Sequence, residues 1–89
     1  MIEKKVIIKN PMGLHIRPAG VLAKVASECT SNIIMIFQDK YINCKSVLNI
    51  MSGAIKKGNE VLIRCEGNNE ENDLNTIIQA IDSGLGEEI

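Results

Sequence analysis

The apolar residues of this chain change period along its length, and that alternation constrains the fold more than any other feature. Val6-Ile7-Ile8 is a β-branched run inside a strand over Ile2 to Lys9, closed by Asn10-Pro11-Met12-Gly13, which is turn chemistry. From Arg17 to Glu28 the spacing becomes helical. Ala19, Leu22, Ala23 and Ala26 fall on one face, and Pro18 is tolerated because it lies in the first turn. Ser31-Asn32 opens a strand over Ile33 to Phe37, and Lys40 to Cys44 reads as its hairpin partner across Gln38-Asp39. A short amphipathic helix then spans Ser46 to Ser52, with Ser46 placed to cap it and Gly53 to stop it. After a turn at Lys56-Lys57-Gly58-Asn59, Glu60 to Glu66 alternates and puts Val61, Ile63 and Cys65 on one face. Leu74, Ile77, Ile78 and Ile81 complete the pattern as a last helix, with Glu70, Glu71 and Asp73 in its first turn and Gly84 just past its end.

The order is therefore βαββαβα. Each helix has one apolar stripe to bury, so the helices share one face of one sheet and the architecture is a two-layer α+β domain over residues 1–89. Phe37 and Tyr41 are the only aromatic residues, so the core must be aliphatic. Placing Val6, Ile8, Ile33, Met35, Phe37, Val61 and Ile63 under the helices leaves Ile7, Ile34, Ile36 and Leu62 on the open face, which is normally polar. Either that patch supports weak self-association or a partner contact, or Lys5, Lys9 and Arg64 cover it with their aliphatic stems.

Charge narrows the partners. With 10 Lys and Arg against 11 Asp and Glu, the chain lacks the basic excess that attracts nucleic acid or anionic membrane. No apolar run reaches the roughly 18 residues of a membrane span, and Met1 to Val6 lacks the core of a signal peptide, so a cytoplasmic protein with no membrane insertion is expected. Cys29, Cys44 and Cys65 are odd in number and far apart, which supports neither a disulfide framework nor a metal site.

The single histidine, His15, stands at the predicted start of the first helix. Alone, a histidine there most simply caps the helix or lies exposed in a loop. A helix N-terminus, however, offers unpaired amides and a partial positive charge to a phosphate, Arg17 adds a fixed cation, and a neutral imidazole nitrogen is a competent nucleophile toward phosphorus. Gly13-Leu14-His15-Ile16-Arg17-Pro18-Ala19 resembles the active-site signature of the HPr family, the histidine phosphocarriers of the bacterial phosphoenolpyruvate:sugar phosphotransferase system. The likeness continues through Leu22, Ala26, Lys45-Ser46, Met51-Ser52 and Lys57-Gly58, and covers the whole chain.

That resemblance implies an HPr-like open-faced two-layer β-sandwich, with a four-stranded antiparallel sheet and three helices on one face. It implies a carrier rather than an enzyme. His15 accepts a phosphoryl group on Nδ1, its pros nitrogen, from enzyme I and passes it to sugar-specific enzyme II A domains. Arg17 and the backbone amides of Ile16 and Arg17 hold the phosphoryl group. No cofactor is permanently bound; Mg²⁺ and phosphoenolpyruvate act through enzyme I. Ser46 corresponds to a serine phosphorylated by HPr kinase/phosphorylase, which links the family to a catabolite-control transcription factor and carbon catabolite repression. Ile16, Gly20, Lys24, Val47, Leu48 and Met51 correspond to the docking patch, with Ile50 pointing inward and Leu48 and Met51 outward. The chain is expected to be mainly monomeric. It departs from the family pattern at Ile16 and Asn49, where small residues are usual, and at Gly53-Ala54, where the usual order is a larger residue followed by glycine. The competing reading is a small RNA-binding or protein-interaction module on an α/β sandwich. Balanced charge and the scarcity of aromatics for base stacking stand against the RNA half of it.

Overall fold

In the computed structural model, which describes residues 1–89, the changes of period become β1 (Ile2–Ile7), α1 (Ile16–Ser27), β2 (Asn32–Phe37), β3 (Lys40–Asn43), α2 (Val47–Ser52), β4 (Glu60–Glu66) and α3 (Glu70–Asp82). β1 ends two residues short of Lys9 because Ile8 leaves the ladder for a turn. Its N–H donates to Asn59 O (2.9 Å) and its carbonyl accepts from Gly58 N (2.7 Å). β3 ends at Asn43, whose Oδ1 accepts from Lys45 N at 3.0 Å and turns the chain toward α2.

The sheet order is β1-β4-β2-β3, with every neighbouring pair antiparallel. Val6 faces Val61 across β1 and β4, and Met35 faces Ile63 across β2 and β4, so the inward residues meet as cross-strand pairs. Ile8, Ile33, Ile42, Ile63 and Val61 are buried on this face beneath Leu22 and Ala26 of α1, Ile50 of α2 and Ile77 and Ile81 of α3. The core is aliphatic, and Phe37 is only partly buried at its edge. Cys44 and Cys65 are buried and unpaired, and Cys29 is half-buried. Burial pushes the Cys44 thiol up to about 12 and the Cys65 thiol up to about 11.

One buried carboxylate ties two layers together. Asp73, in the first turn of α3, accepts from Ser31 N at 3.0 Å and from Asn69 Nδ2 at 3.2 Å. Hydrogen bonding from Ser31 holds its carboxyl below the usual range.

The open face is less bare than the alternation of the strands implies. Ile34, Ile36 and Leu62 are half-buried, and only Ile7 is exposed. Arg64 Nε donates to Glu3 Oε2 at 2.6 Å, and the guanidinium lies 6.0 Å from the Tyr41 ring centroid, so side chains of β4 and β3 meet over the intervening β2. The long Arg64 side chain lies over the apolar row, favouring cover over a bare patch. No helix is long and apolar enough to cross a membrane.

Candidate functional site

The loop between β1 and α1 is shaped by one glycine. Gly13 has φ +67°, and a Cβ there would clash with the Ile55 carbonyl. That close approach lets Leu14 N donate to Ile55 O at 3.0 Å, which anchors the backbone immediately before His15. His15 is the N-cap of α1: its carbonyl accepts from Ala19 N at 3.0 Å, but its side chain does not cap the helix. The amides of Ile16 and Arg17 have no acceptor within the chain, and Pro18 has no N–H to satisfy. Arg17 is exposed and forms no salt bridge. Two free amides, one unpaired arginine and one imidazole thus belong to the same helix end.

The other edge of the imidazole is occupied. His15 Nε2 lies 2.9 Å from Glu87 Oε2, and only this ring nitrogen has a hydrogen-bond partner in the chain. Glu87 Oε1 accepts at 2.8 Å from Asn10 Nδ2, which also donates to Gly84 O at 2.9 Å. Asn10 is completely buried. The Asn10 bond, followed by the His15 bond and the charges of His15 and Arg17, holds the Glu87 carboxyl below its usual range. Sequence reasoning missed both Asn10 and Glu87. The available signal was Gly84-Leu85-Gly86, which occupies the left-handed region throughout (φ +98°, +50° and +85°) and turns the tail back while burying Leu85. A reversal can be read from that spacing, but its destination 72 residues from His15 cannot.

Apolar side chains border the site. Met12 (78% exposed), Ile16 and Leu48 project into solvent, Met51 is partly covered, and Ile50 is buried. Met12, Leu14, His15, Met51, Ala54, Ile55 and Lys56 line a shallow hollow of about 250 Å³. Gly20 lies half-buried on α1 with open space where a Cβ would be, and Lys24 is exposed. Val47 packs partly against the core, so less of it is offered than of Leu48. Met12 belongs with this surface although the sequence marked it only as part of a turn. Ser46 caps α2, with Oγ accepting from Asn49 N at 3.1 Å. No group of three or more His, Cys, Asp or Glu side chains converges as a metal site.

The family model described as the phosphotransferase system HPr component phosphorylation site matches residues 2–83. The chain belongs to the HPr family. It is 44% identical over 86 residues to the phosphocarrier protein HPr of Mycoplasma capricolum, covering 96% of this chain and 97% of that one. The crystal structure of HPr-C-His from Thermoanaerobacter tengcongensis superposes with a TM-score of 0.93 at 38% identity, over 100% of both chains. The HPr-like protein Crh of Halalkalibacterium halodurans is 35% identical, over 92% of this chain and 98% of that one. The family assignment makes this chain a phosphocarrier of the phosphotransferase system, and its four-stranded antiparallel sheet with three helices in the order βαββαβα is the HPr fold.

Proposed function

We propose that His15 carries the phosphoryl group on Nδ1, receiving it from enzyme I and delivering it to enzyme II A domains. The observation that carries this reading is the division of the imidazole: Nε2 is held by a carboxylate, while Nδ1 is unpartnered at a helix end with two free amides and an unpaired arginine. In the transfer, the Nδ1 lone pair attacks phosphorus as the P–N bond of a phosphohistidine donor breaks and its electron pair returns to the donor ring. Arg17 and the amides of Ile16 and Arg17 then hold the phosphoryl oxygens. Mg²⁺ and phosphoenolpyruvate enter through enzyme I, and this chain contributes no cofactor of its own. The exposed patch of Ile16, Leu48 and Met51, with Gly20, Lys24 and part of Val47, is the surface on which donor and acceptor dock in turn.

Ser46 carries the regulatory reading. A phosphate on its Oγ would sit at the start of α2, where Asn49 N already donates, so the fold tolerates the new charge and partners feel it. HPr kinase/phosphorylase and a catabolite-control transcription factor are the corresponding partners. We read the chain as cytoplasmic and mainly monomeric, the latter because Ile34, Ile36 and Leu62 on the open face are half-buried within the chain itself.

The test is incubation with phosphoenolpyruvate, Mg²⁺ and enzyme I, followed by intact mass and acid-lability measurements. Wild type gains one acid-labile phosphoryl group and His15→Ala gains none. Failure of wild type to gain it, or its persistence in His15→Ala, overturns the reading.

A further inference from the structure

We propose that the C-terminal tail is part of the transfer site: Glu87, braced by buried Asn10, holds His15 in the Nε2–H tautomer and offsets the positive charge the ring acquires when Nδ1 is phosphorylated. The second half rests on the carrier reading above; the first does not.

The tautomer follows from the partners. An ionised carboxylate only accepts hydrogen bonds, so at 2.9 Å from Glu87 Oε2 the His15 Nε2 must donate. In the neutral ring the proton then resides on Nε2 and the lone pair on Nδ1. The brace follows in the same way. Asn10 Nδ2 faces two acceptors, Gly84 O and Glu87 Oε1, so the opposite amide orientation would set an oxygen against both. Asn10 keeps this orientation even though its Oδ1 is left buried without a partner. Leu85, buried in a left-handed conformation, pins the tail between these contacts.

The charge on the ring follows from the balance of the step. A neutral ring with Nε2–H gives its Nδ1 lone pair to phosphorus, the donor's P–N bond breaks, and no proton leaves. The product ring is bonded to phosphorus at Nδ1 and to hydrogen at Nε2, so it is cationic. Glu87 is already seated against that N–H. Its hydrogen bond becomes charge-assisted at both ends on phosphorylation, which favours the carried state over the free one. Glu87 is thus a positioning residue whose effect on the phosphoryl equilibrium passes through the imidazole.

The test uses the full chain and Glu87→Gln, which preserves shape but removes the charge and can present a donor as well as an acceptor. Ring-nitrogen chemical shifts of neutral, unphosphorylated His15 report the tautomer. The wild type is expected to be predominantly Nε2–H, and Glu87→Gln to lose that bias. With enzyme I as donor, the equilibrium constant for phosphoryl uptake is expected to fall about tenfold in Glu87→Gln. Glu87→Asp, which keeps the charge on a shorter arm, is expected to lie between them. Asn10→Ala should shift the tautomer in the same direction with the carboxylate intact. A tautomer ratio that is the same in wild type and Glu87→Gln overturns the positioning role. A changed ratio with an unchanged uptake equilibrium overturns the charge role. Wild type that takes up no phosphoryl group overturns the carrier reading and leaves the tautomer result to decide the rest.

Discussion

At His15 the surroundings of the two ring nitrogens come from different distances along the chain. The Nδ1 side is built from Gly13, Ile16, Arg17 and Pro18, all within three residues, and is legible because a turn glycine, a first-turn proline and a cation are local signals. The Nε2 side is built from Asn10 and Glu87, and the carboxylate comes from 72 residues away. No periodicity links the two, so that half waits for the fold. A similar division explains Gly53-Ala54. Gly53, read from the sequence as the residue that stops α2, has an ordinary helical φ of −69°, and a Cβ on it would lie 2.5 Å from Ile42 Cδ1. Gly53 is a matter of space. The left-handed position is Ala54, at φ +53°, where an L side chain is disfavoured by roughly 1–2 kcal/mol. Ala54→Gly relieves that cost but enlarges the entropy of the unfolded chain, for a net stabilisation of about 0.5–1 kcal/mol. Denaturant unfolding at constant m-value measures it; a loss of stability would show that Ala54 makes a contact worth more than the strain.

α2 shows how far an element can be read when it is only six residues long. Its cap was legible from Ser46 and its inward residue from Ile50, because one turn between a capping serine and a following glycine leaves few ways to bury an apolar side chain. Tertiary contacts fix its ends. Lys40 Nζ donates to Gly53 O at 3.0 Å, and Asn49 Oδ1 accepts from Asn43 N at 2.6 Å. Asn49, a departure from the family's usual small residue, therefore has a structural role in joining α2 to the end of β3. The outward side of α2 belongs to the proposed docking surface. Leu48 is 81% exposed, so Leu48→Asp should change the unfolding free energy by no more than about 0.5 kcal/mol. The same substitution places a charge where an apolar contact is desolvated, and should slow phosphorylation by enzyme I about tenfold or more through a raised KM. A large loss of stability would mean that Leu48 packs inward; unchanged KM would remove it from the docking surface.

On the scale of the whole molecule, the near balance of 10 basic and 11 acidic residues leaves the pH dependence of stability to a few groups whose folded surroundings differ from water. On the acid side these are Asp73, held low by Ser31, Glu87, held low first by Asn10, and Glu70, held low first by the Met1 ammonium. Each is ionised in the folded chain at a pH where its unfolded counterpart has begun to bind a proton. Their contribution is complete above the ordinary carboxylate range of about 4 to 4.5 and is lost as the pH falls through the lower folded values. On the alkaline side the sign reverses. Cys44 and Cys65 stay protonated up to about 12 and about 11, whereas a thiol in the unfolded chain titrates near 9.0. Above that pH the unfolded chain releases protons that the folded chain retains, so stability declines by about 1.4 kcal/mol per pH unit from Cys44 alone. Cys65 adds to the decline, and the raised Met1 ammonium acts in the same direction from about pH 8. Denaturant unfolding with a reductant present, from about pH 7 to about pH 11, should show a plateau and then this fall. In Cys44→Ala, which lowers the plateau by removing a buried side chain, the alkaline slope should be shallower by the Cys44 share. An unchanged slope in that variant would mean that the buried thiol does not govern the alkaline limb.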